Sequence, residues 1–576
     1  MNFSVVCIAR NESKTLPRLI NSLKEFQERG GEILIVDTGS TDGTAEIARN
    51  LGCKVEEVGD RFRITIDEDL AKQINGRFVV ESESPVVVAG ESLFDFTSAR
   101  NFAASLASND TVAMPDCDEI YTKIDLDKIE EAINNGAEQL EYNFVFSHDQ
   151  FGNEVIKFMH SKFYNRTKLK WTGVVHEVLT GSATRKFLDE SIIKLEHYQN
   201  HETNRSGYLK GLALDCFQNP ENDRNSHYFG REMLWTGRPK SAIQELERHI
   251  SMMKWPAERS QSLVYIGKAY EGLGMPEKAL QSWFQAWMIE PARREPLICI
   301  ADYYYRTKQA CQAATFAKAC LEIPGGNFYA DDVSHYRHVP HEILYWAYWN
   351  LGDLKQGKEH YDIALGYLPL SDKFLHDARF FYDLPKVSII LPTKGRPEGL
   401  KRALDSVEML NYPKELIELI VDGDPGTVPE KVKRMQQKAT GTWYCYASND
   451  IEFTANSLIL AVLDGLKNKK GLISFNTGEL YPDKGNICEH FIIQKYVLDQ
   501  IGGEIFNTRF HHCGCDNLLW AQCSKINEAF RSESAIMHHY HFTRGAKMDE
   551  IYSEAWSRNE EDKKILEEEL EKLTQS

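Results

Sequence analysis

Short apolar strands alternate with amphipathic helices in two separate parts of the chain. Near the N-terminus the segments FSVVCIA, EILIVD and KVEEV are predicted strands, and predicted helices connect them. From Lys386 onward VSIILP, IELIVD and TWYCY continue the same alternation. Since strand–helix alternation places successive strands in parallel with helices on both faces, it predicts two α/β domains with mostly parallel sheets. The predicted domains cover residues 1–204 and 381–552, and a polar, strand-like stretch at 60–93 interrupts the first.

The segment between them, residues 205–380, shows helical periodicity and an internal repeat. The sequences YFGREMLWTGRPKSAIQEL and YIGKAYEGLGMPEKALQSW start at Tyr228 and Tyr265 and carry Gly, Pro and Ala at equal offsets. Looser copies follow, and the last starts at Tyr345. Small residues at fixed offsets let paired helices approach closely, and the pattern resembles the tetratricopeptide repeat. A nonrepetitive helical bundle is the alternative, and residues 553–576 are predicted to form a charged, solvated helix.

The charge balance of the 576-residue chain limits the partners that it is expected to bind. It has 67 Lys and Arg against 85 Asp and Glu, a net charge of −18, which argues against general binding to polyanions but not against a local basic groove. Its 12 cysteines form no paired framework and its N-terminus shows no signal-peptide pattern, so a reducing, cytoplasmic location is expected. No apolar run is long enough to predict a transmembrane segment.

Acidic side chains stand at the ends of predicted strands. Asp37 ends EILIVD, and Asp116 and Asp118 end the apolar run DTVAMPDCD. Ligands of open α/β folds bind beyond the carboxyl ends of the strands. Two neighbouring carboxylates repel each other, and a divalent cation relieves this repulsion while keeping positions open for substrate phosphates. The D-x-D triplet is therefore a candidate metal site, and a solvated acidic loop is the alternative.

A family resemblance rests on CIARNES, EILIVDTGSTDGT, SARN and DCDE, which follow one another in this order. Together they resemble the N-terminal half of a family 2 glycosyltransferase with the GT-A fold, over residues 3–200. WTGVVHE, from Trp171 to Glu177, resembles an element of bacterial lipopolysaccharide-core and bacteriocin-peptide glycosyltransferases, some of which carry tetratricopeptide-like helices after the catalytic domain. The resemblance implies a Rossmann-like catalytic domain, a nucleotide-sugar donor, and Mn²⁺ or Mg²⁺ as cofactor.

The resemblance also implies a role for each motif residue. Asp37 is expected to contact the base or ribose of the nucleotide-sugar, and Arg100 to lie near the donor. Asp116 and Asp118 are expected to hold the divalent cation on the diphosphate.

The acceptor side is expected near His176 and Glu177, and Glu177 is one candidate general base. A hydrogen-bonded structural histidine is the alternative for His176. The stretch 60–93 departs from the compact family pattern and is either a flap over the donor or an insertion.

A second resemblance to family 2 covers the C-terminal α/β segment, through VSIILPTKGRPEGLKRALDSV, LIVDGDPGT and SNDIEF. This resemblance implies that Asp422 corresponds to Asp37 and contacts the nucleotide-sugar. Asp450 and Glu452 stand where the metal-binding acids are expected, and Asp450 also near the donor. The pair Asn449–Asp450 departs from the paired aspartates that are common in the family.

Two further motifs complete this second candidate site. Asp516, in HHCGCDNLLWAQC, opens an apolar helix where the family often has a general base. His539 and His541, in IMHHYHF, stand where related enzymes place a histidine that completes the metal site. A zinc site and a buried, nonligating histidine cluster are alternatives, although the C-x-C spacing differs from the C-x₂-C of structural zinc. The zinc ligands would come from His511, His512, Cys513, Cys515, His538, His539 and His541.

The chemistry of sugar transfer explains why such groups are needed. Charge builds up on the leaving diphosphate, and a metal held by carboxylates offsets it as a Lewis acid. An acceptor hydroxyl is a poor nucleophile, so a carboxylate within hydrogen-bond reach removes its proton. Asp516 fits this role best. The chain is therefore expected to be a metal-dependent, inverting glycosyltransferase in which one or both α/β domains are active.

The acceptor is left open by the sequence. A protein, a peptide or a glycan fits the resemblance, and modified bases in DNA are a further possibility. The helical repeats are expected to bind the acceptor or a partner protein, or to hold the two α/β domains in fixed relation. The rival expectation is a noncatalytic scaffold in which repeats bind a partner between degenerate sugar-nucleotide-binding domains.

Overall fold

The computed structural model describes residues 1–148, 154–175, 177–198, 206–324, 331–478, 487–541, 545–546 and 548–575. Two compact units divide the chain, Met1–Ile343 and Leu344–Ser576. Within the described residues, no helix combines the length and the apolar character that crossing a membrane requires.

The first unit begins with an α/β segment whose strands and helices follow the predicted alternation. Its strands are β1 Phe3–Ala9, β2 Glu32–Asp37, β3 Lys54–Glu57, β4 Arg63–Thr65, β5 Ser92–Phe94, β6 Thr111–Ala113, β7 Glu119–Ile124, β8 Gln139–His148, β9 Glu154–Asn165, β10 Leu169–Thr172, β11 Val178–Gly181, β12 Arg185–Phe187 and β13 Ile193–His197. Its helices are α1 Leu16–Ser22, α2 Lys24–Glu28, α3 Thr44–Asn50, α4 Glu68–Phe78, α5 Phe96–Ser105 and α6 Leu126–Asn134.

The main sheet of this unit has the order β3-β2-β1-β6-β9-β8-β13-β7, and β12 pairs with β8. The four strands from β3 to β6 are parallel, as the alternation predicts. Beyond β6 the sheet is mixed, because β9 pairs antiparallel with both β6 and β8, and β13 pairs antiparallel with β7. The expectation of a mostly parallel sheet therefore holds for one half of the sheet only.

The stretch 60–93 is not strand-like throughout. Only its ends pair, as the short antiparallel strands β4 and β5. Helix α4 lies between them and is capped by Asp67, which accepts a hydrogen bond from the N–H of Leu70. The apolar face of α4 is buried against the first helices of the repeat segment, and the ring of Phe78 packs edge-on against that of Phe229. Glu83 accepts hydrogen bonds from the backbone N–H of two repeat residues. This insertion therefore attaches the sheet to the repeats.

The central segment is helical, as the sequence predicts. Its helices are α7 Ser206–Gln218, α8 Asp223–Trp235, α9 Pro239–Ser251, α10 Pro256–Gly272, α11 Pro276–Ile289, α12 Glu295–Arg306, α13 Ala310–Leu321, α14 His338–Asn350, α15 Leu354–Tyr367 and α16 Asp372–Phe381. The two best-matched copies become α8–α9 and α10–α11, and in each the second helix begins with the repeated proline. A glycine of each first helix lies against its partner: a Cβ on Gly230 would meet Leu246, and one on Gly267 would meet Trp283.

Gly267 and Gly272, both on α10, offer a matched pair of substitutions. We expect Gly267→Ala to lower the free energy of unfolding by about 1–3 kcal/mol, because the new Cβ overpacks against the Trp283 indole. The atom that this Cβ would meet first is the indole Nε1. Gly272 has open space around it, so Gly272→Ala is expected to stabilise the helix by about 0.5–1 kcal/mol. Thermal unfolding of both variants measures the difference, and equal shifts would contradict close packing at Gly267.

The second unit contains another α/β segment. Its strands are β14 Val387–Pro392, β15 Ile417–Asp422, β16 Trp443–Tyr446, β17 Ile451–Phe453, β18 Leu472–Asn476, β19 Phe491–Gln494 and β20 Ala529–His539. Its helices are α17 Pro397–Glu408, α18 Val428–Lys438, α19 Ser457–Asn468, α20 Lys495–Gln500, α21 Cys515–Lys525, α22 Glu550–Ser557 and α23 Asn559–Gln575. The sheet order is β15-β14-β16-β19-β18-β20-β17.

The two sheets share one topology. If β14 to β20 are matched in chain order to β1, β2, β6, β7, β8, β9 and β13, the second sheet reproduces the first without β3 and β12. The parallel and antiparallel pairings also agree, since β14 is parallel to β15 and β16, and β19 is antiparallel to β16 and β18.

A three-residue hydrogen-bond cluster recurs at the same place in both sheets. Glu32, at the start of β2, accepts hydrogen bonds from the hydroxyl of Ser4 (2.6 Å) and from the backbone N–H (2.7 Å) and hydroxyl (2.6 Å) of Ser108. In the second sheet the same three bonds are made by Glu418, Ser388 and Thr440. Burial opposes ionisation of both glutamates. Hydrogen bonds from Lys54, Ser108 and Ser4 nevertheless lower the pKa of Glu32 to about 2, and those from Ser388 and Thr440 lower the pKa of Glu418 to about 2. The two α/β segments therefore correspond residue by residue at this edge.

Candidate functional site

The first sequence-predicted residue, Asp37, is the last residue of β2 and is almost fully buried. Its Oδ1 accepts hydrogen bonds from the backbone N–H of Gly39 (2.9 Å) and Ser40 (2.8 Å). Gly39 has φ +94°, a conformation that favours glycine. The other carboxylate oxygen of Asp37, Oδ2, is buried and has no hydrogen-bond partner among the described residues. Because an unsatisfied buried oxygen is costly, this atom is a candidate acceptor for a ligand.

Asp116, about a third of whose side chain is open to solvent, joins a network with two cations and a second carboxylate that are buried. Its Oδ1 accepts from Arg100 Nη2 and its Oδ2 from Lys162 Nζ, both at 2.7 Å. Lys162, on β9, also donates to Glu119. Burial opposes the ionisation of Asp116, but the two cations outweigh it and hold the pKa of its carboxyl well below the usual range. Burial, with the nearby Asp116 charge, raises the pKa of Glu119 to about 7.

Asp118 faces a histidine that the sequence reasoning missed. Its Oδ2 lies 3.0 Å from Nε2 of His197, the last residue of β13. The other ring nitrogen, Nδ1, lies 3.1 Å from the carbonyl oxygen of Phe146 and therefore carries the hydrogen, because a carbonyl only accepts. Burial lowers the pKa of His197, but the hydrogen bond to Asp118 raises it overall. The D-x-D triplet thus presents a carboxylate beside an imidazole.

Arg100 and Glu177 meet at the edge of the same site. The guanidinium of Arg100 lies over the Trp171 ring, 5.2 Å from its centroid, and its Nε is 3.7 Å from Glu177 Oε1. Arg100 Nε and Nη1 and Glu177 Oε1 are buried without a hydrogen-bond partner among the described residues. Burial raises the pKa of Glu177, and Arg100 partly opposes this. His176 lies outside the described residues.

In the second unit, Asp422 ends β15 as Asp37 ends β2, but its carboxylate is fully engaged. Oδ1 accepts from the N–H of Asp424 (2.8 Å) and Oδ2 from Arg434 Nε (2.9 Å). Burial opposes ionisation of Asp422, but these partners lower its pKa. In the second unit, Arg434 therefore occupies the carboxylate oxygen that has no hydrogen-bond partner on Asp37 in the first unit.

Asp450 accepts hydrogen bonds from several side chains of the second unit. Arg396 Nη1 donates to it at 2.9 Å, and the hydroxyls of Ser448 and Tyr552 also donate to it. His539 Nε2 lies 3.7 Å from its Oδ1. Burial opposes ionisation, but His539 and the other partners hold the pKa of Asp450 well below its usual range. His541 lies beside the same groups, its ring 5.2 Å from that of His539.

The structure does not bring Glu452 to this group. Glu452 pairs with His538 across the β17–β20 ladder, whereas His539 pairs with Ile451, so Glu452 and His539 project from opposite faces of the ladder. The Glu452 carboxylate instead accepts from the Tyr540 hydroxyl at 2.6 Å.

Asp516 lies in the first turn of α21, as predicted. Burial, with the Glu489 charge, raises its pKa to about 6. Glu489 also contacts His539 Nδ1 at 3.3 Å, so Asp516 and Asp450 border the same group of acidic and imidazole side chains.

The zinc alternative is not supported by the described geometry. Among the described residues, the only three acidic, His or Cys ligand atoms within 4.8 Å of one another belong to Asp223, His249 and Glu258, in the helical repeats. The HHCGC and HHYH segments do not form such a group in the part of the chain that the structure describes.

The two sites match at one further pair of residues. His197 pairs with the first residue of β7, and His539 pairs with the first residue of β17. The next residue after each histidine donates its backbone N–H to the aspartate carbonyl: Tyr198 to Asp118 at 2.9 Å, and the tyrosine after His539 to Asp450 at 2.8 Å. Asp450 therefore corresponds to Asp118, the second acid of the triplet. The segments LEHY and MHHY both place a His–Tyr pair at a strand end, and this similarity is the sequence signal from which His197 could have been found.

Comparison with known proteins supports a glycosyltransferase sequence at the N-terminus. Residues 4–62 match the family model "Glycosyl transferase family 2". The 4,4'-diaponeurosporenoate glycosyltransferase of Staphylococcus haemolyticus is 47% identical over 57 residues, 10% of this chain and 15% of that protein. The SPbeta prophage-derived glycosyltransferase SunS of Bacillus subtilis is 25% identical over 264 residues, 43% of this chain and 53% of that protein.

A solved structure, the mannosyltransferase PcManGT from Pyrobaculum calidifontis in complex with GDP-Man and Mn²⁺, is 16% identical, with a TM-score of 0.23, over 32% of this chain and 68% of that one. The chain spans about half the length of SunS and a smaller share of the Staphylococcus relative. Residues 4–62 thus carry the sequence pattern of family 2 glycosyl transferases.

Proposed function

We propose that the chain is a metal-dependent, inverting glycosyltransferase that moves a sugar from a nucleotide-sugar to a protein, peptide or glycan. One observation carries this proposal: in the first unit, polar atoms of three sequence-predicted site residues are buried without a hydrogen-bond partner among the described residues. These atoms are Asp37 Oδ2, Arg100 Nε and Nη1, and Glu177 Oε1. Buried polar groups are normally hydrogen-bonded, so these atoms support binding of a polar ligand.

The donor fits these atoms by charge and hydrogen-bond type. Asp37 Oδ2 offers an acceptor to the N–H groups of a base or to the ribose hydroxyls. The unpaired guanidinium N–H groups of Arg100 offer donors to a phosphate or to the transferred sugar. The residue-by-residue roles follow from this assignment.

The residues that would hold the cation are Asp118 and His197. Carboxylate and imidazole are suitable ligands for Mn²⁺, and the Phe146 carbonyl already orients the imidazole through Nδ1. Asp116 fits less well, because Arg100 and Lys162 already bind both of its oxygens. We propose that Asp116 instead holds the side chains of Arg100 and Lys162 near the diphosphate. When bound, the divalent cation would offset the charge of the leaving diphosphate.

Glu177 is proposed as the base of the first site. Burial raises its pKa, which strengthens its carboxylate as a proton acceptor, and the guanidinium of Arg100 favours its ionised form. In the second unit Asp516 has the same position in the chain order, between the strands that correspond to β9 and β13. Its pKa of about 6 suits proton removal near neutral pH.

We propose that the second unit contains another GT-A domain. The shared strand order, the shared Glu–Ser hydrogen-bond cluster and the matched Asp–His pair support this assignment. Arg434 takes the place of a ligand at Asp422, so the two sites are expected to differ in the nucleotide or affinity that they prefer.

The helical repeats are proposed to bind the acceptor. The first-unit repeats expose aromatic and apolar side chains, among them Trp235, with Arg231 4.6 Å from its ring centroid. Tryptophan and arginine side chains are enriched at protein interfaces.

The test is a donor panel of UDP-glucose, UDP-N-acetylglucosamine, UDP-galactose and GDP-mannose, incubated with the whole chain and Mn²⁺. We expect release of nucleoside diphosphate from at least one donor and its loss on addition of EDTA. No release from any donor, together with no change in thermal stability on donor binding, would favour the noncatalytic scaffold. Release that EDTA does not affect would contradict the metal assignment.

A further inference from the structure

Asp562, on the C-terminal helix α23, is fully buried although its helix is rich in charge. The sequence predicts a solvated helix here, but α23 packs against α21 through Ile565, Leu566 and Leu570. Arg509, which precedes α21, forms ion pairs with two glutamates of α23 at 2.6 and 2.5 Å. The prediction of a solvated helix is therefore wrong for one face of α23.

The carboxylate of Asp562 accepts hydrogen bonds from three successive backbone N–H groups. The N–H of His511 donates to Oδ1 at 2.8 Å, and those of His512 and Cys513 donate to Oδ2 at 2.9 and 2.8 Å. A single buried carboxylate thereby satisfies three consecutive backbone N–H groups of an irregular segment. Hydrogen bonds to a charged acceptor are stronger than neutral ones, so this segment is firmly held.

This segment leads directly into the candidate base. Gly514 follows it as the N-cap of α21 with φ +81°, and a Cβ on Gly514 would lie 3.4 Å from Leu566 of α23. Asp516 is the second residue of the helix that begins there. Residues 511–514 therefore lead without interruption into the first turn of α21, which carries the Asp516 carboxylate.

We infer that Asp562 is a positioning residue, which places Asp516 for proton removal by holding residues 511–513 from the C-terminal helix. This inference rests on the proposed function of the second site, since it takes Asp516 as the base. Asp562 itself does not reach substrate and is not a catalytic residue. A positioning role for Asp562 predicts that the C-terminal helix α23, which lies outside the sheet, is required for the activity of the second site.

The first arm of the test is amide hydrogen exchange, which needs no substrate. In the wild-type chain, the amides of residues 511–513 are expected to exchange more slowly than those of other irregular segments. In Asp562→Asn they should exchange about tenfold faster or more, because one acceptor oxygen and the negative charge are lost. Glu567→Gln is the control, an equal charge change at an exposed position of the same helix. Unchanged exchange in Asp562→Asn would overturn the anchoring role.

The second arm is steady-state release of nucleoside diphosphate from UDP-glucose, UDP-N-acetylglucosamine or GDP-mannose with Mn²⁺. It uses the whole chain with the first site disabled by Asp118→Asn. Asp562→Asn is expected to lower kcat by about 10²-fold with KM for the donor almost unchanged, since a misplaced base slows chemistry and not donor binding. Glu567→Gln should change neither.

The two arms distinguish a failure of the proposed activity of the second site from a failure of the positioning role of Asp562. If the first-site-disabled chain releases no product, the proposed activity of the second site is wrong and the positioning role falls with it, while exchange still decides the anchoring. If exchange rises in Asp562→Asn but kcat does not fall, Asp562 anchors the segment without positioning a base. A parallel rise in KM and fall in kcat would indicate a general structural effect and would also overturn positioning.

Discussion

Asp118→Asn is expected to lower Mn²⁺-dependent release of nucleoside diphosphate from the first site by about 10²-fold or more, with almost no change in thermal stability. The Asp118 carboxylate lies 3.0 Å from the His197 imidazole, and this pair is proposed to take up the cation. An amide keeps the size of the side chain and can still bond to the imidazole. It loses the negative charge that the cation requires. The measurement uses a background of Asp516→Asn, so that only the first site contributes.

Asp116→Asn is expected to fail in a different way, by destabilising the fold. The buried Arg100 and Lys162 would each lose an anionic partner, and breaking a buried ion pair is costly. About a third of the Asp116 side chain is open to solvent (38% exposed), so we discount the cost to about 1–3 kcal/mol in the free energy of unfolding. Thermal and urea unfolding measure it, with Asp127→Asn as the control for loss of a carboxylate at an exposed position.

The contrast between the two variants is the decisive observation. If Asp118→Asn lost stability and kept its response to Mn²⁺ while Asp116→Asn kept stability and lost the response, our assignment of the two acids would have to be reversed. Equal loss of Mn²⁺ response in both, without destabilisation, would restore the sequence expectation that both acids hold the metal. His197→Gln should weaken the response to Mn²⁺ about 10-fold to 10²-fold if the imidazole is a ligand or orients one.

The sequence predicts those parts of the sites that depend on local pattern. Strand ends can be read from apolar runs, so Asp37, Asp422 and the acids after β6 are found at the carboxyl edge of the sheets, as expected. The start of an apolar helix likewise identifies Asp516. These residues share one property: their place follows from the element in which they lie.

The residues that the sequence analysis missed are brought in by pairing between distant strands. Lys162 lies within β9, where an alternating strand gives no sign that it will face Asp116 across the sheet. His197 ends β13, which inserts between β8 and β7 and thereby reaches Asp118. The pairing order of strands is a nonlocal property, and single-sequence periodicity does not contain it.

The insertion at 60–93 and the C-terminal helix differ from the sequence expectation for a related reason. Both are polar overall, and polarity suggests a strand-like loop in one case and a solvated helix in the other. Each buries a narrow apolar face, through Ile74 and Phe78 in α4 and through Leu566 in α23. A narrow face on a charged element is recognisable only when its partner is known, because burial needs a complementary surface.

Asp516→Asn is expected to make the second unit more stable while it abolishes the activity of that site. The carboxyl has a pKa of about 6 in the folded chain, chiefly because of burial and the neighbouring Glu489 charge, against about 4 for an unfolded Asp. The folded state therefore holds the proton more tightly, so ionisation costs stability above pH 6, and this cost disappears as the pH falls towards 4. The amide removes the cost, so we expect the free energy of unfolding at pH 7.5 to rise by about 1–3 kcal/mol.

Activity should move in the opposite direction, and both effects should share one pH dependence. A carboxylate base is active only when ionised, so second-site turnover in the Asp118→Asn background is expected to fall as the pH drops below about 6. Asp516→Asn should lose about 10²–10⁴-fold in kcat and show no such acid limb. Its stabilisation should be present at pH 7.5 and absent near pH 4. Asp405→Asn, at an exposed position of α17, is the control and should change neither quantity. Loss of activity together with loss of stability would show that Asp516 is a structural helix-start residue, whereas a stabilised and inactive variant would identify a group kept at an energetic cost for proton transfer.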